Sequence, residues 1–232
     1  MNKILTIIIP IYNEEKTIIN ILKKINSLTF KNFKFEIIVI DDKSTDSSLL
    51  LLKQNENLYD ELIINKKNMG KGFAVKEGLL KAKGEYVIFQ DADDEYDPND
   101  FDKFINIYEN FDADLIIGSR INYDKYSSSG NFFNKIGNFI ITNFFNLLFN
   151  TTFTDIYSCY LSFKRQKLDV SSLRTNGFQQ QAEILTKIIN KCEKKYEVKI
   201  NYNGRNHKEG KKIRYYHIFG VLYEILRGYF LK

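Results

Sequence analysis

The sequence predicts an α/β domain built on a mostly parallel sheet flanked by helices. Short apolar, β-branched runs recur through the first half of the chain, and segments of helical periodicity lie between them. Three of those runs end in acidic residues, at the strand ends where open α/β sheets take their ligands.

At 232 residues, 44% of them hydrophobic, the chain can bury a substantial core in a single domain. The runs ILTIIIP (4–10), FEIIVIDD (35–42), ELIIN (61–65), YVIFQDAD (86–93) and DLIIGSR (114–120) have the length and branching of strands buried on both faces. Between the first two, Ile18, Ile21, Leu22, Ile25 and Leu28 recur at helical spacing and form one apolar face. A strand, a helix and a second strand in that order make a parallel crossover unit. The alternation continues to about residue 120 and then weakens. Residues 131–149, NFFNKIGNFIITNFFNLLF, form an aromatic and aliphatic helix whose asparagines argue against a membrane span. Its apolar side suits a core or interface helix, or a helix lying in a membrane surface. The amphipathic tail IFGVLYEILRGYFLK admits the same two readings.

Charge narrows the partners. Lys and Arg total 34 against 29 Asp and Glu, a formal +5 that fits anionic small molecules, phosphorylated lipids or an anionic membrane surface. It carries no nucleic-acid footprint. Cys159 and Cys192 match neither a metal-ligand spacing nor a disulfide framework, which suits a reducing compartment. Met1-Asn2-Lys3 runs directly into a strand, too short for a signal segment. The expected location is therefore cytoplasmic, with peripheral contact at the cytoplasmic membrane face left open.

Two glycine-rich nucleotide motifs are excluded. NMGKGFAVKEG has Val75 where a dinucleotide fingerprint needs its third glycine, and no Gly-Lys-Ser/Thr occurs. Gly70 and Gly72 instead supply permissive backbone before a helix whose free N–H groups could face a phosphate. The acidic stretch YVIFQDADDEYDP is more informative. An isolated Asp-x-Asp is a solvated loop, but Asp91-Ala92-Asp93 shares its strand-end position with IYNEE and IDDKSTD. Carboxylates gathered in this way predict a divalent cation, Mg²⁺ or Mn²⁺, bridging to an anionic ligand such as a diphosphate.

The ordered motifs IIIPIYNEE, IIVIDDKSTD, KGFAVKEG, DADDEYDP, IIGSR and TDIYSCY resemble those of inverting family 2 glycosyltransferases. These enzymes have the Rossmann-like GT-A fold, and the likeness is strongest to the dolichyl-phosphate mannose synthases and their bacterial polyprenyl-phosphate relatives. It covers about residues 4–215. The resemblance implies a glycosyltransferase domain at 1–215, with a nucleotide-sugar half (1–120) and an acceptor half (121–215), followed by an amphipathic helix at 216–232. It implies that Pro10, Tyr12, Glu14, Val39, Asp41, Lys71 and Ala92 belong to the nucleotide-sugar site. Asp91 and Asp93 would hold the metal and the diphosphate, with Glu95 a further metal ligand where the synthases have glutamine. Arg120 would lie on the phosphate or acceptor side, and Arg205 and Lys211 would form a phosphate-gripping pair. The chain departs from the synthase pattern at RNHKEGK, and at Cys159, where many synthases have glycine. Both departures lie on the acceptor side.

The implied reaction is a single inverting displacement from a GDP-mannose or UDP-sugar donor to a polyprenyl or dolichyl phosphate. Transfer to a sugar hydroxyl in glycan assembly is the alternative. A phosphate acceptor is already ionised; a hydroxyl needs a base, for which Asp155 is the first candidate and Glu183 the second. His207 and His217 are read as structural or exposed, although His207 lies between the basic pair. A nucleotidyltransferase would be expected to carry a glycine-rich loop near its first strand, and IPIYNEEKT has no glycine. A non-catalytic nucleotide-sugar-binding protein remains the alternative of another class. Partners beyond the substrates are a second copy of the chain or a membrane protein.

Overall fold

The five apolar runs become the strands of one sheet. The computed structural model describes residues 2–121, 132–204 and 217–231. In it β1 (Lys3–Ile11), β2 (Phe33–Asp41), β3 (Glu61–Ile64), β4 (Tyr86–Phe89) and β5 (Leu115–Ser119) overlay the anticipated segments, with ends moved by a few residues. β4 stops at Phe89 because the acidic run turns away from the sheet. Between the strands lie α1 (Ile18–Ser27), α2 (Ser48–Gln54), α3 (Lys71–Lys81) and α4 (Phe101–Phe111). Ile18, Ile21, Leu22 and Ile25 of α1 are fully buried. Each such side chain stabilises the fold by roughly 1.5–3 kcal/mol relative to an exposed one.

The sheet has seven strands in the order β3-β2-β1-β4-β6-β5-β7. β1 pairs in parallel with both β2 and β4, so Ile11 stands opposite Asp41 and Ile8 opposite Phe89. The acidic segments that follow β1, β2 and β4 therefore leave the sheet along one edge. Two strands lie beyond the point where the sequence pattern weakens: β6 (Leu161–Lys164) and β7 (Lys195–Lys199). β6 is antiparallel to both of its neighbours, β4 and β5. Ser162 puts a hydroxyl in the middle of this four-residue strand, which hides the apolar signal. That hydroxyl is matched inside the core, donating to the Val87 carbonyl at 2.8 Å and sharing a 2.7 Å bond with the Tyr108 hydroxyl.

The predicted aromatic helix is α5 (Phe132–Phe149), and α6 (Gln180–Ile188) and α7 (His217–Phe230) complete the helical layers. α5 buries Ile141, Phe145 and Phe149, and the Phe149 ring meets Tyr229 of α7 edge-on. Both helices also expose large apolar side chains: Phe139 and Leu147 on α5, Phe219 and Phe230 on α7. No helix among the described residues is long and apolar enough to cross a membrane.

Candidate active site

The β1 and β2 ends are tied to each other before they reach any ligand. Asn13 adopts a left-handed φ of 56°, and its side-chain oxygen accepts from the Thr45 N–H at 2.7 Å. The N–H groups of Asn13 and Glu14 donate to the hydroxyls of Ser44 and Ser48. This lacing fixes Pro10, Tyr12 and Glu14 along one wall of a cleft of ≈ 400 Å³, within the range of small-molecule sites. Lys71, Asp91, Ala92, Asp93, Glu95 and Arg120 line the same cleft. Val39 and Asp41 do not. Val39 is buried in β2, and the buried Asp41 carboxylate accepts from the Ser44 N–H, closing its own turn. It is Asp42 that reaches the cleft wall, holding Met69 and Gly70 by their N–H groups and Asn65 by its side chain. In IDDKSTD either aspartate could face the ligand; strand alternation settles the choice only once the end of β2 is known.

The acidic cluster divides by task. Asp94, at a left-handed φ of 59°, pairs with Lys24 at 2.9 Å. Asp97 caps a short 3-10 turn by accepting from the Asn99 N–H, and Asp100 is buried against Asn201 and Lys103. Asp91, Asp93 and Glu95 stay with the cleft. The ammonium of Lys71, the first residue of α3, lies 2.5 Å from Asp91 Oδ1. Burial alone would lower the Lys71 pKa, but the Asp91 carboxylate, with Asp93 beyond it, raises it above the ordinary lysine range. Glu95 Oε2 accepts from the Tyr202 hydroxyl at 2.7 Å. Among the described residues, no three acidic, histidine or cysteine side chains converge on one point as a metal cage. The expected set of Asp91, Asp93 and Glu95 thus does not form one. Two carboxylates beside space for a diphosphate still fit Mg²⁺ or Mn²⁺, since Mg²⁺ commonly binds through one or two carboxylates plus substrate phosphates and waters.

The glycine-flanked start of α3 is not an open phosphate cradle. The N–H groups of Gly72 and Phe73 donate to the Asn176 carbonyl, and the Gly70 N–H donates to Asp42. The glycines are needed here for proximity. A Cβ on residue 72 would stand 2.7 Å from two backbone atoms of Thr175 and Asn176.

Both base candidates sit behind the wall. Asp155 is fully buried and accepts from Arg120 Nε at 2.7 Å, Arg120 Nη2 at 2.9 Å and the Arg120 backbone N–H at 3.1 Å. Asn138 and the Tyr157 N–H donate to it as well. Burial pushes its carboxyl pKa up, but the Arg120 charge and these donors outweigh burial and hold it below the ordinary range. A carboxylate so engaged cannot collect a proton from a substrate without breaking the ion pair. Its visible task is to aim Arg120, whose guanidinium lies 5.3 Å from the centre of the Tyr202 ring and borders the cleft. Glu183, also buried, accepts from the N–H groups of Arg174 and Thr175 and from the Thr175 hydroxyl. It anchors the loop that carries Gly177 and Phe178 to the cleft, and lies outside the lining itself.

Sequence reasoning missed Tyr96, Tyr157, Gln180, Gln181 and Tyr202, all of which line the cleft. The Tyr157 hydroxyl donates to the Phe178 carbonyl at 2.7 Å, joining two segments far apart in the chain. Burial also raises the Cys159 thiol well above its usual pKa, so it stands in the cleft as a neutral group. Arg205, Lys211 and His207 lie outside the described residues, as does the side chain of His217.

The family model for glycosyl transferase family 2 matches residues 6–170. The chain belongs to that family. Within family 2 it is 30% identical, over 203 residues, to the UDP-N-acetylglucosamine–dolichyl-phosphate N-acetylglucosaminyltransferase of Methanococcus voltae, a match covering 79% of each protein. It is 32% identical over 117 residues to the poly(ribitol-phosphate) beta-glucosyltransferase of Bacillus spizizenii, covering 49% of this chain and 18% of that protein. The chain thus matches under a fifth of the length of that longer relative. Family 2 also accounts for the expected fold. Glucosyl-3-phosphoglycerate synthase of Mycobacterium tuberculosis, solved with Mn²⁺, UDP and glucosyl-3-phosphoglycerate, superposes with a TM-score of 0.70 at 16% identity, covering 98% of this chain and 80% of the other. The GT-A sheet read from the motifs is the one observed.

Proposed function

We infer that this family 2 chain transfers a sugar, with inversion, from a nucleoside diphosphate sugar to a polyprenyl phosphate. The observation that carries the acceptor is the engagement of Asp155 and Glu183. Both candidate bases are buried and hydrogen-bonded into the structure, so the cleft suits a nucleophile that arrives ionised. A phosphate oxygen is such a nucleophile; a sugar hydroxyl is not. The acceptor oxygen attacks the anomeric carbon, and the nucleoside diphosphate leaves from the opposite side.

Pro10, Tyr12, Glu14 and Asp42 form the nucleoside side of the cleft in this reading. Lys71, held charged beside Asp91, and Arg120, aimed by Asp155, meet the phosphates. Asp91 and Asp93 would hold the divalent ion, which when bound supplies positive charge to the departing diphosphate. Arg205 and Lys211 would add to the cationic side. The donor half (1–120) and acceptor half (121–215) keep their proposed roles. The exposed apolar rows of α5 and α7 suit contact with the membrane surface in which such an acceptor is dissolved. The name of the Methanococcus relative, a transferase to dolichyl phosphate, supports the same acceptor class.

The test is product formation from GDP-mannose, UDP-glucose and UDP-N-acetylglucosamine, with Mg²⁺ or Mn²⁺ and a short polyprenyl phosphate, beside Asp93→Asn. Metal-dependent glycolipid formation, lost in the variant, is the expected result. A donor that is bound or slowly hydrolysed but never passed to the lipid would refute the acceptor assignment and turn attention to hydroxyl acceptors. Failure to bind any donor would refute the transferase reading.

A further inference from the structure

Gln180, the first residue of α6, lines the cleft while only 4% of its surface is exposed. Its side-chain Nε2 is, among the described residues, the one buried side-chain nitrogen or oxygen without a hydrogen-bond partner. Other polar groups of the cleft lining are matched: Gln181 Nε2 donates to the carbonyls of Ser158 and Ile156, and the Tyr157 hydroxyl to that of Phe178. Gly72 lets Gln180 approach, since a Cβ at residue 72 would lie 2.8 Å from the Gln180 Cβ. Buried amides are almost always hydrogen-bonded, because an unmatched one loses its water and gains nothing. An unmatched amide on a side chain that lines a ligand cleft points to a partner that arrives with the ligand.

We propose that the Gln180 amide recognises a hydroxyl of the sugar carried by the nucleotide donor, and so helps to select that sugar. The inference rests on the donor reading given above and deepens it. The chemistry favours a hydroxyl over a phosphate. A carboxamide turned end for end keeps its shape and presents either its NH₂ or its oxygen, and a hydroxyl can answer both. Phosphate oxygens only accept, and the same cleft already offers Lys71 and Arg120, whose charged donors suit them better. A neutral amide in a dry wall distinguishes sugars by the position of one hydroxyl, since an analogue lacking it leaves the site's polar group unmatched.

Calorimetric titration of the full chain in Mn²⁺ tests this, using UDP, UDP-glucose, UDP-N-acetylglucosamine, GDP and GDP-mannose against wild type and Gln180→Leu. Leucine retains most of the bulk and removes the amide. The expected result is affinity about tenfold lower for the sugar nucleotide that wild type prefers, the effect of losing one hydrogen bond to an uncharged group, with the sugar-free nucleotide within about twofold. Unchanged affinity for the sugar nucleotide would overturn the proposal. An equal loss for sugar-bearing and sugar-free forms would overturn it too, because the amide would then serve the phosphates, the nucleoside or the wall. Gln180→Met replaces the leucine variant if that one does not fold, with the same outcomes. Wild type that binds none of the five ligands would instead strike the underlying donor reading.

Discussion

Replacing Asp155 by asparagine separates a carboxylate that aims an arginine from one that takes a proton. The change is nearly isosteric, yet it removes the only negative charge on a fully buried group that accepts three bonds from Arg120. The asparagine oxygen can keep one of the two side-chain bonds. Its NH₂ must then face a guanidinium N–H, donor against donor, and the Arg120 charge is left in the wall uncompensated. Breaking a buried pair from one side costs about 3–5 kcal/mol. At about 2–4 °C per kcal/mol for a domain of this size, the thermal midpoint should fall by roughly 6–20 °C. Scanning calorimetry reads that directly. Adding Arg120→Gln to Asp155→Asn should recover part of the loss, because the stranded charge is gone. Turnover falls in both variants, because Arg120 loses its aim in the first and is absent from the second. The reasoning is refuted if Asp155→Asn melts with wild type and binds donor normally while turnover disappears, since that is how loss of a catalytic base looks.

Asp114 gives a pH dependence. Burial opposes its ionisation, but the N–H groups of Glu193 and Lys194 with Lys167 and Lys164 pull its pKa down to about 2. A depressed carboxyl stabilises the fold above its unfolded pKa, so the roughly 2 kcal/mol it contributes should be complete above about pH 4 and fade towards pH 2. Urea midpoints of wild type and Asp114→Asn should therefore differ at pH 7 and draw together near pH 2–3. Phe139→Asp with Leu147→Asp should abolish co-sedimentation with anionic phospholipid vesicles and leave the melting temperature within a few degrees, since both side chains project from the surface. Retained vesicle binding would rule out α5 as the contact.

The first half of the chain was legible because its determinants are local. Parallel strands buried on both faces write continuous apolar runs, and the loops after β1, β2 and β4 carry their acids within a few residues of the strand end. The other half is held by contacts that no local pattern records. Asp155 reads as a free acid until Arg120 is seen folded around it. Glu183 reads as a second candidate base until the Arg174–Thr175 backbone is found hanging from it. The same limit hid the use of the glycines at α3, which admit a carbonyl from residue 176 where the sequence suggested a phosphate. Asp41 and Asp42 show the finest scale of the problem, since one residue of register decides which of them meets the cleft.

The position of β6 bears on how this protein is made. β5 pairs with β6 and β7 and with no earlier strand, so a ribosome that has released residues 1–120 has produced a strand without neighbours. Until residue 164 emerges, the β4 edge is also unpaired, an open template for aggregation. Residues 1–120 are thus a unit of sequence but not of folding: β6, the strand that joins β4 to β5, arrives with the segment that carries Tyr157 and Cys159 to the cleft. Closing so distant a pairing is slow, and a chain cut near residue 120 would lose both hydrogen-bonding partners of β5 together with the carboxylate that aims its terminal arginine.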